Sequence, residues 1–98
     1  MLVASGADLL SHKLKVVLLR AESKDYYDID ALLASGIPLD AGLTGARTLF
    51  GTAFQPAEAL KALTYFGDGD LADIDLATRT RLKTSSESAL RKIRSAPD

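Results

Sequence analysis

Cysteine is absent from this chain, which excludes a disulfide framework, a thiolate zinc site and a cysteine nucleophile. Histidine occurs once, at His12, so neither a histidine-based metal centre nor a histidine-dependent triad is expected, and His12 reads as a helix-surface or core-edge residue. Tryptophan is missing as well, so paired acids for glycosidase work would lack a sugar-stacking platform. No apolar run approaches the roughly 20 residues that cross a bilayer, and Met1 to Gly6 is not a charged leader followed by a long apolar region. The chain therefore reads as cytoplasmic, with no membrane partner. A net charge of −1 gives no global bias towards nucleic acid or acidic membranes. Sustained period-two alternation is nowhere found, which leaves little room for strands.

What is present is an ordinary globular composition, 47% hydrophobic and 26% charged over 98 residues. That is one domain's worth of chain. Apolar residues recur at helical spacing, and five helices are expected in a single compact all-α domain over 1–98, with 1–6 a loose lead and 95–98 a frayed tail. The first helix starts at Ser5 or Asp8 and runs to Arg20 or Ala21 on the stripe Leu10, Leu14, Val17, Leu18 and Ala21. No Gly or Pro falls between Ala7 and Ser35, yet one helix over all of that would be about 43 Å long. A break near Glu22–Ser23 is expected, followed by a second helix from Lys24 to Ala34 with Ser23 as its cap.

Ser35-Gly36 ends the second helix with a left-handed cap, and Ile37-Pro38 re-aims the chain. A third, less stable helix spans Leu39 to Phe50 on Leu39, Leu43, Ala46, Leu49 and Phe50, with Gly42 and Gly45 allowing close helix packing or a soft turn. The fourth opens at Gln55-Pro56 with Pro at its first position and stops at Gly67. Asp68-Gly69-Asp70 lacks the further oxygen ligands of a calcium loop and reads as a turn with a helix cap. Leu71 to Leu76 is a short turn anchored by Ile74 or Leu76. Asp75 caps the last helix, Leu76 to Ser95, whose inner face reads Leu82, Ala89, Leu90 and Ile93 and whose middle is weakened by Thr84-Ser85-Ser86.

Chemistry concentrates between Lys13 and Leu33. Lys13 and Arg20 are seven residues apart and lie on nearly one line of a helix, bordering the buried face. In the next helix Tyr26, Ile29, Leu32 and Leu33 define an apolar face. Asp25 projects at its edge, Asp28 lies beside Asp25, and Asp30 points to water. A carboxylate in Asp25's position needs a cation or several donors. Lys13, Arg20 and Lys24 are the nearby supply. Two readings fit. In one, the cluster staples two helices together; in the other, it faces a cleft where Lys and Arg neutralise a phosphate and the carboxylates position them or a hydroxyl. Elsewhere charge is uneven, with six basic residues and one acid from Arg79 to Arg94, and four Asp without a cation from Asp68 to Asp75. The Arg79–Arg94 helix could touch a nucleic-acid backbone or be a solvated face.

The order Lys13, Arg20, Lys24-Asp25-Tyr26-Tyr27-Asp28-Ile29, then Ala31-Leu32-Leu33, resembles the helical C-terminal region of the AbiEii/AbiGii-type nucleotidyltransferase toxins. Gly36, Phe54-Gln55-Pro56 and Ala62-Leu63-Thr64-Tyr65-Phe66 are similar to that group's continuation. The resemblance implies that Lys13 contacts nucleotide phosphates with Arg20 and Lys24 assisting, and that Asp25 and Asp28 complete or support the catalytic site. It also implies magnesium and a nucleoside triphosphate, held by an N-terminal α/β domain with a Gly-Ser signature and an Asp-x-Asp pair. This sequence has no Gly-Ser motif ahead of a strand and no Asp-x-Asp followed by one, so catalysis by these residues alone is not expected, and no metal site is assigned to them. The expectations are thus a helical half of such a system acting with a separately encoded catalytic domain, or a non-catalytic helical interaction or oligomerisation module.

Overall fold

A computed structural model of the chain describes residues 6–20, 22–67 and 69–95, with the side chains of 94 and 95 left aside. Of the expected loose lead only Gly6 is described, and it already belongs to the first helix, while residues 1–5 and the end of the tail lie outside these residues. Five α-helices are present among the described residues: α1 (Gly6–Leu19), α2 (Ser23–Ala34), α3 (Leu39–Phe50), α4 (Pro56–Ala62) and α5 (Leu76–Ser95). Two short 3-10 turns, Gly51–Ala53 and Gly69–Asp73, lie between them. The fold is a single small all-α bundle around one apolar core.

The break between α1 and α2 falls where helix length requires it, and Glu22 there is extended, at φ −123° and ψ 134°. Ser23 is not the cap. Glu22 holds that position with no side-chain bond of its own, and the open N-terminus of α2 is satisfied from far along the chain. Asp70 accepts the Ser23 backbone N–H at 3.0 Å and its hydroxyl at 2.8 Å. Asp70 thus caps the second helix rather than the one that follows it. Asp75 caps α5 as expected, accepting the Thr78 N–H at 3.0 Å and hydroxyl at 2.8 Å.

Contacts between α1 and α3 advance in the same direction along both helices, Leu10 on Gly42, then Ser11 on Gly45, then Lys15 by Phe50, so the two run parallel. Their approach depends on missing side chains: a Cβ on Gly42 would stand 2.6 Å from two carbons of Leu10. In that narrow seam the buried Ser11 hydroxyl lies 2.9 Å from the Gly42 carbonyl and 3.0 Å from that of Ala7. Beneath it Leu14, Tyr26, Ile29, Phe54, Leu60 and Leu82 close the centre. Gly36, at φ +103°, supplies the left-handed exit from α2.

Several expectations are corrected. The fourth helix stops at Ala62, five residues before Gly67. Its last carbonyls are taken by a tightening turn, Thr64 N–H to Lys61 and Tyr65 N–H to Ala62, while the Tyr26 hydroxyl donates to Ala62 at 2.8 Å. Leu49 and Ile93 are exposed, 54% and 44%, because α3 and α5 turn those positions away from their neighbours. Of the two candidate anchors Ile74 is buried and Leu76 is not. Asp30 does not face open water, since Arg81 of α5 covers it with two bonds of 2.9 and 2.7 Å. α5 runs unbroken through Thr84-Ser85-Ser86.

Candidate functional site

α2 delivers Asp25 in its first turn, where the positive helix end favours a carboxylate, and the neighbouring Tyr26 and Ile29 draw that face into the core. Asp25 is fully buried. α1 arrives opposite with Lys13 and, one residue beyond its end, Arg20. The Lys13 ammonium donates to Asp25 Oδ1 at 3.2 Å and reaches Asp28 Oδ2 at 2.8 Å. Arg20 Nε lies 3.4 Å from Asp25 Oδ2, an ion pair without a hydrogen bond. Glu22 adds a further carboxylate, 3.7 Å from Arg20 Nε and 3.5 Å from Lys24 Nζ.

Four of the five candidate residues, Lys13, Arg20, Asp25 and Asp28, therefore meet at one joint. Lys24 joins only through Glu22 and is largely exposed. Glu22 escaped the reading of the sequence, because a residue in an extended break has no helical face on which to place it. Hydrogen bonds to Asp28, then to Asp25, hold the Lys13 ammonium above its ordinary pKa of 10.5 against the opposing effect of burial.

The joint has an inner and an outer side. Asp25 is sealed, while the Lys13 side chain keeps 25% of its surface exposed. Two of the three ammonium N–H donors are directed at carboxylates, which leaves a third. Arg20 approaches both Glu22 and Asp25 through Nε, and its side chain keeps 51% of its surface exposed. An external anion could add to this edge without dismantling it. A divalent cation does not fit, since Asp25 and Asp28 share an ammonium, and no group of at least three potential ligands exists among the described residues. No metal-dependent step is assigned to these residues.

The basic helix divides differently. Arg79 donates to the Ile74 carbonyl at 2.7 Å and to Ala72, and stacks over Phe66 with its charge centre 5.6 Å from the ring. Arg81 pairs with Asp30 and Lys92 with Asp40. Only Lys83 and Arg91, of those described side chains, stand exposed without such a tie. His12 sits at the helix surface, edge-on to Phe50 at 5.8 Å. No helix among the described residues is long and apolar enough to cross a membrane.

Comparison with known proteins returns no matching family model, curated protein or solved structure.

Proposed function

We propose that these residues form the helical half of a nucleotidyltransferase of the AbiEii/AbiGii type, lending an anion-binding edge to a catalytic α/β domain supplied by a partner. The observation that carries the reading is the convergence of Lys13, Arg20, Asp25 and Asp28 on one partly open joint. In this reading Lys13, through its remaining donor, and the half-exposed Arg20 meet nucleotide phosphates. Asp25 and Asp28 fix the direction of the ammonium, and the buried Asp25 holds both cations in place. Lys24, tethered by Glu22, adds charge at the rim. Magnesium and the acids that bind it belong to the partner domain.

A second reading has its own support. The joint balances three cations, Lys13, Arg20 and Lys24, with three carboxylates, Glu22, Asp25 and Asp28. Such neutrality suits a structural staple in a helical interaction module, with exposed Leu9, Leu19 or Leu49 available to a partner or a second copy.

Amide NMR titration with a nucleoside triphosphate and Mg²⁺ separates the two. The nucleotidyltransferase reading expects saturable shifts over residues 13–29 that are lost in Lys13→Ala and weakened in Arg20→Ala, the second variant sparing the Lys13–Asp25 bond. Absence of shifts there, with the fold intact, leaves the staple.

A further inference from the structure

A groove of about 240 Å³ runs between α4 and α5, floored by Leu60 and Leu90. Lys61, Lys83, Glu87 and Ser86 also line it. Ser86 lies on the inner stripe of α5 with Leu82 and Ala89, at 1% exposure, and its hydroxyl has no hydrogen-bond partner. The other buried hydroxyls are used: Ser11 reaches two carbonyls, and Thr78 donates to Asp75 and accepts from Arg81. An unsatisfied buried hydroxyl is a net cost, and alanine at the same place would remove it while favouring the helix. The fold therefore gives no reason for serine here.

The cations around the groove are similarly unspent. Lys61 and Lys83 make no ion pair among the described residues, although Glu87 borders the same groove. Elsewhere Lys13, Arg20, Lys24, Arg81 and Lys92 all have carboxylate partners. Two lysines without an ion pair and an idle hydroxyl thus line one groove, donors of the kind an anionic group takes.

We propose that the α4–α5 groove binds a small ligand through one phosphate or carboxylate group, with Lys61 and Lys83 neutralising it and Ser86 donating from the inner wall. Ser86 lines the groove, and rotation of its unpartnered hydroxyl presents the O–H to an anion bound there. Leu60 and Leu90 take an apolar body on the ligand, and Glu87 at the rim disfavours a second negative charge.

The test is an amide NMR titration of the full chain, with inorganic phosphate in one arm and acetate in the other. Saturable shifts over residues 60–64 and 83–90, distinct from any at residues 13–29, are expected in at least one arm, and the tighter anion assigns the class. Lys83→Ala should weaken binding at least tenfold. Ser86→Ala should weaken it several-fold with no loss of thermal stability, which separates a ligand role from a packing role. The site is overturned if neither anion saturates, if shifts scatter over every surface cation, or if Lys61→Ala and Lys83→Ala both bind as the parent does.

Discussion

Asp25 on α2 and Ser86 on α5 are both sealed on the inner faces of their helices, and their surroundings treat them in opposite ways. Around Asp25 the chain has gathered Lys13 from α1 and Arg20 from just beyond its end. Around Ser86 it has gathered nothing that bonds to the hydroxyl. Cost explains what a fold can tolerate. An ionised carboxylate left unpaired in the interior costs several kcal/mol, a large share of a small domain's net stability, whereas an idle hydroxyl costs about 1–3 kcal/mol. The α1–α2 joint is thus obligatory, and the α4–α5 seam is left free to differ.

The largest effect should come from breaking the joint on its cationic side. Lys13→Met removes the one hydrogen bond to Asp25 and leaves its carboxylate with Arg20 alone, a loss of about 3–5 kcal/mol by denaturant unfolding. Asp25→Asn, which leaves Lys13 with Asp28 and Arg20 with Glu22, should cost less, about 2–3 kcal/mol. If the order were reversed, burial of the carboxylate could not be what organises the joint.

A neutral seam offers the next contrast. Gly42→Ala drives a methyl group against the fully buried Leu10, and the helix-forming gain of alanine offsets only part of the strain. A net loss of about 1–2 kcal/mol is expected. The Ser11 bond to the Gly42 carbonyl should loosen with it, seen as faster amide exchange along α3. Ser86→Ala should carry the opposite sign, a gain of about 1 kcal/mol, because it deletes an unsatisfied group and improves the helix. A clear loss of stability in the purified variant would mean that the hydroxyl has a structural partner after all.

Helical period and punctuation made the elements legible. The break at Glu22, the Gly36 exit, Pro56 at a helix start and the glycines of α3 all follow from local chemistry that one stretch of sequence contains. The meeting of Lys13, Arg20, Asp25 and Asp28 was legible too, since two adjacent helices with facing apolar stripes leave few ways to satisfy Asp25. Other features needed long-range information. Asp70 capping α2 joins residues 47 apart, and Arg81 covering Asp30 joins residues 51 apart. No periodicity connects such pairs. At the early end of α4 the Ala62 carbonyl accepts the Tyr26 hydroxyl, again a contact between elements. The Arg79–Arg94 stretch is another case: the charge count is local, but the partners of Arg79, Arg81 and Lys92 lie on other elements or at the helix start.

The smallest effects should appear with pH, and they divide the molecule along the same line. Hydrogen bonds from the Ser23 hydroxyl and N–H hold Asp70 below the ordinary 3.8, and those from the Thr78 N–H and hydroxyl do the same for Asp75. A carboxyl with a lowered folded pKa contributes stability that is complete above its unfolded value and disappears as pH falls through the folded one. Lys13 is raised above 10.5, so its contribution is complete below that value and disappears as pH rises through the folded one. These groups together should leave the unfolding midpoint flat between roughly pH 5 and pH 10. The acid limb reports the helix caps and the alkaline limb the joint. Asp70→Asn should flatten part of the acid limb and leave the alkaline limb unchanged, with faster exchange at the first amides of α2. An acid limb unaltered in that variant would show that the Asp70 cap carries no stability, and that α2 is held by the Asp25 joint alone.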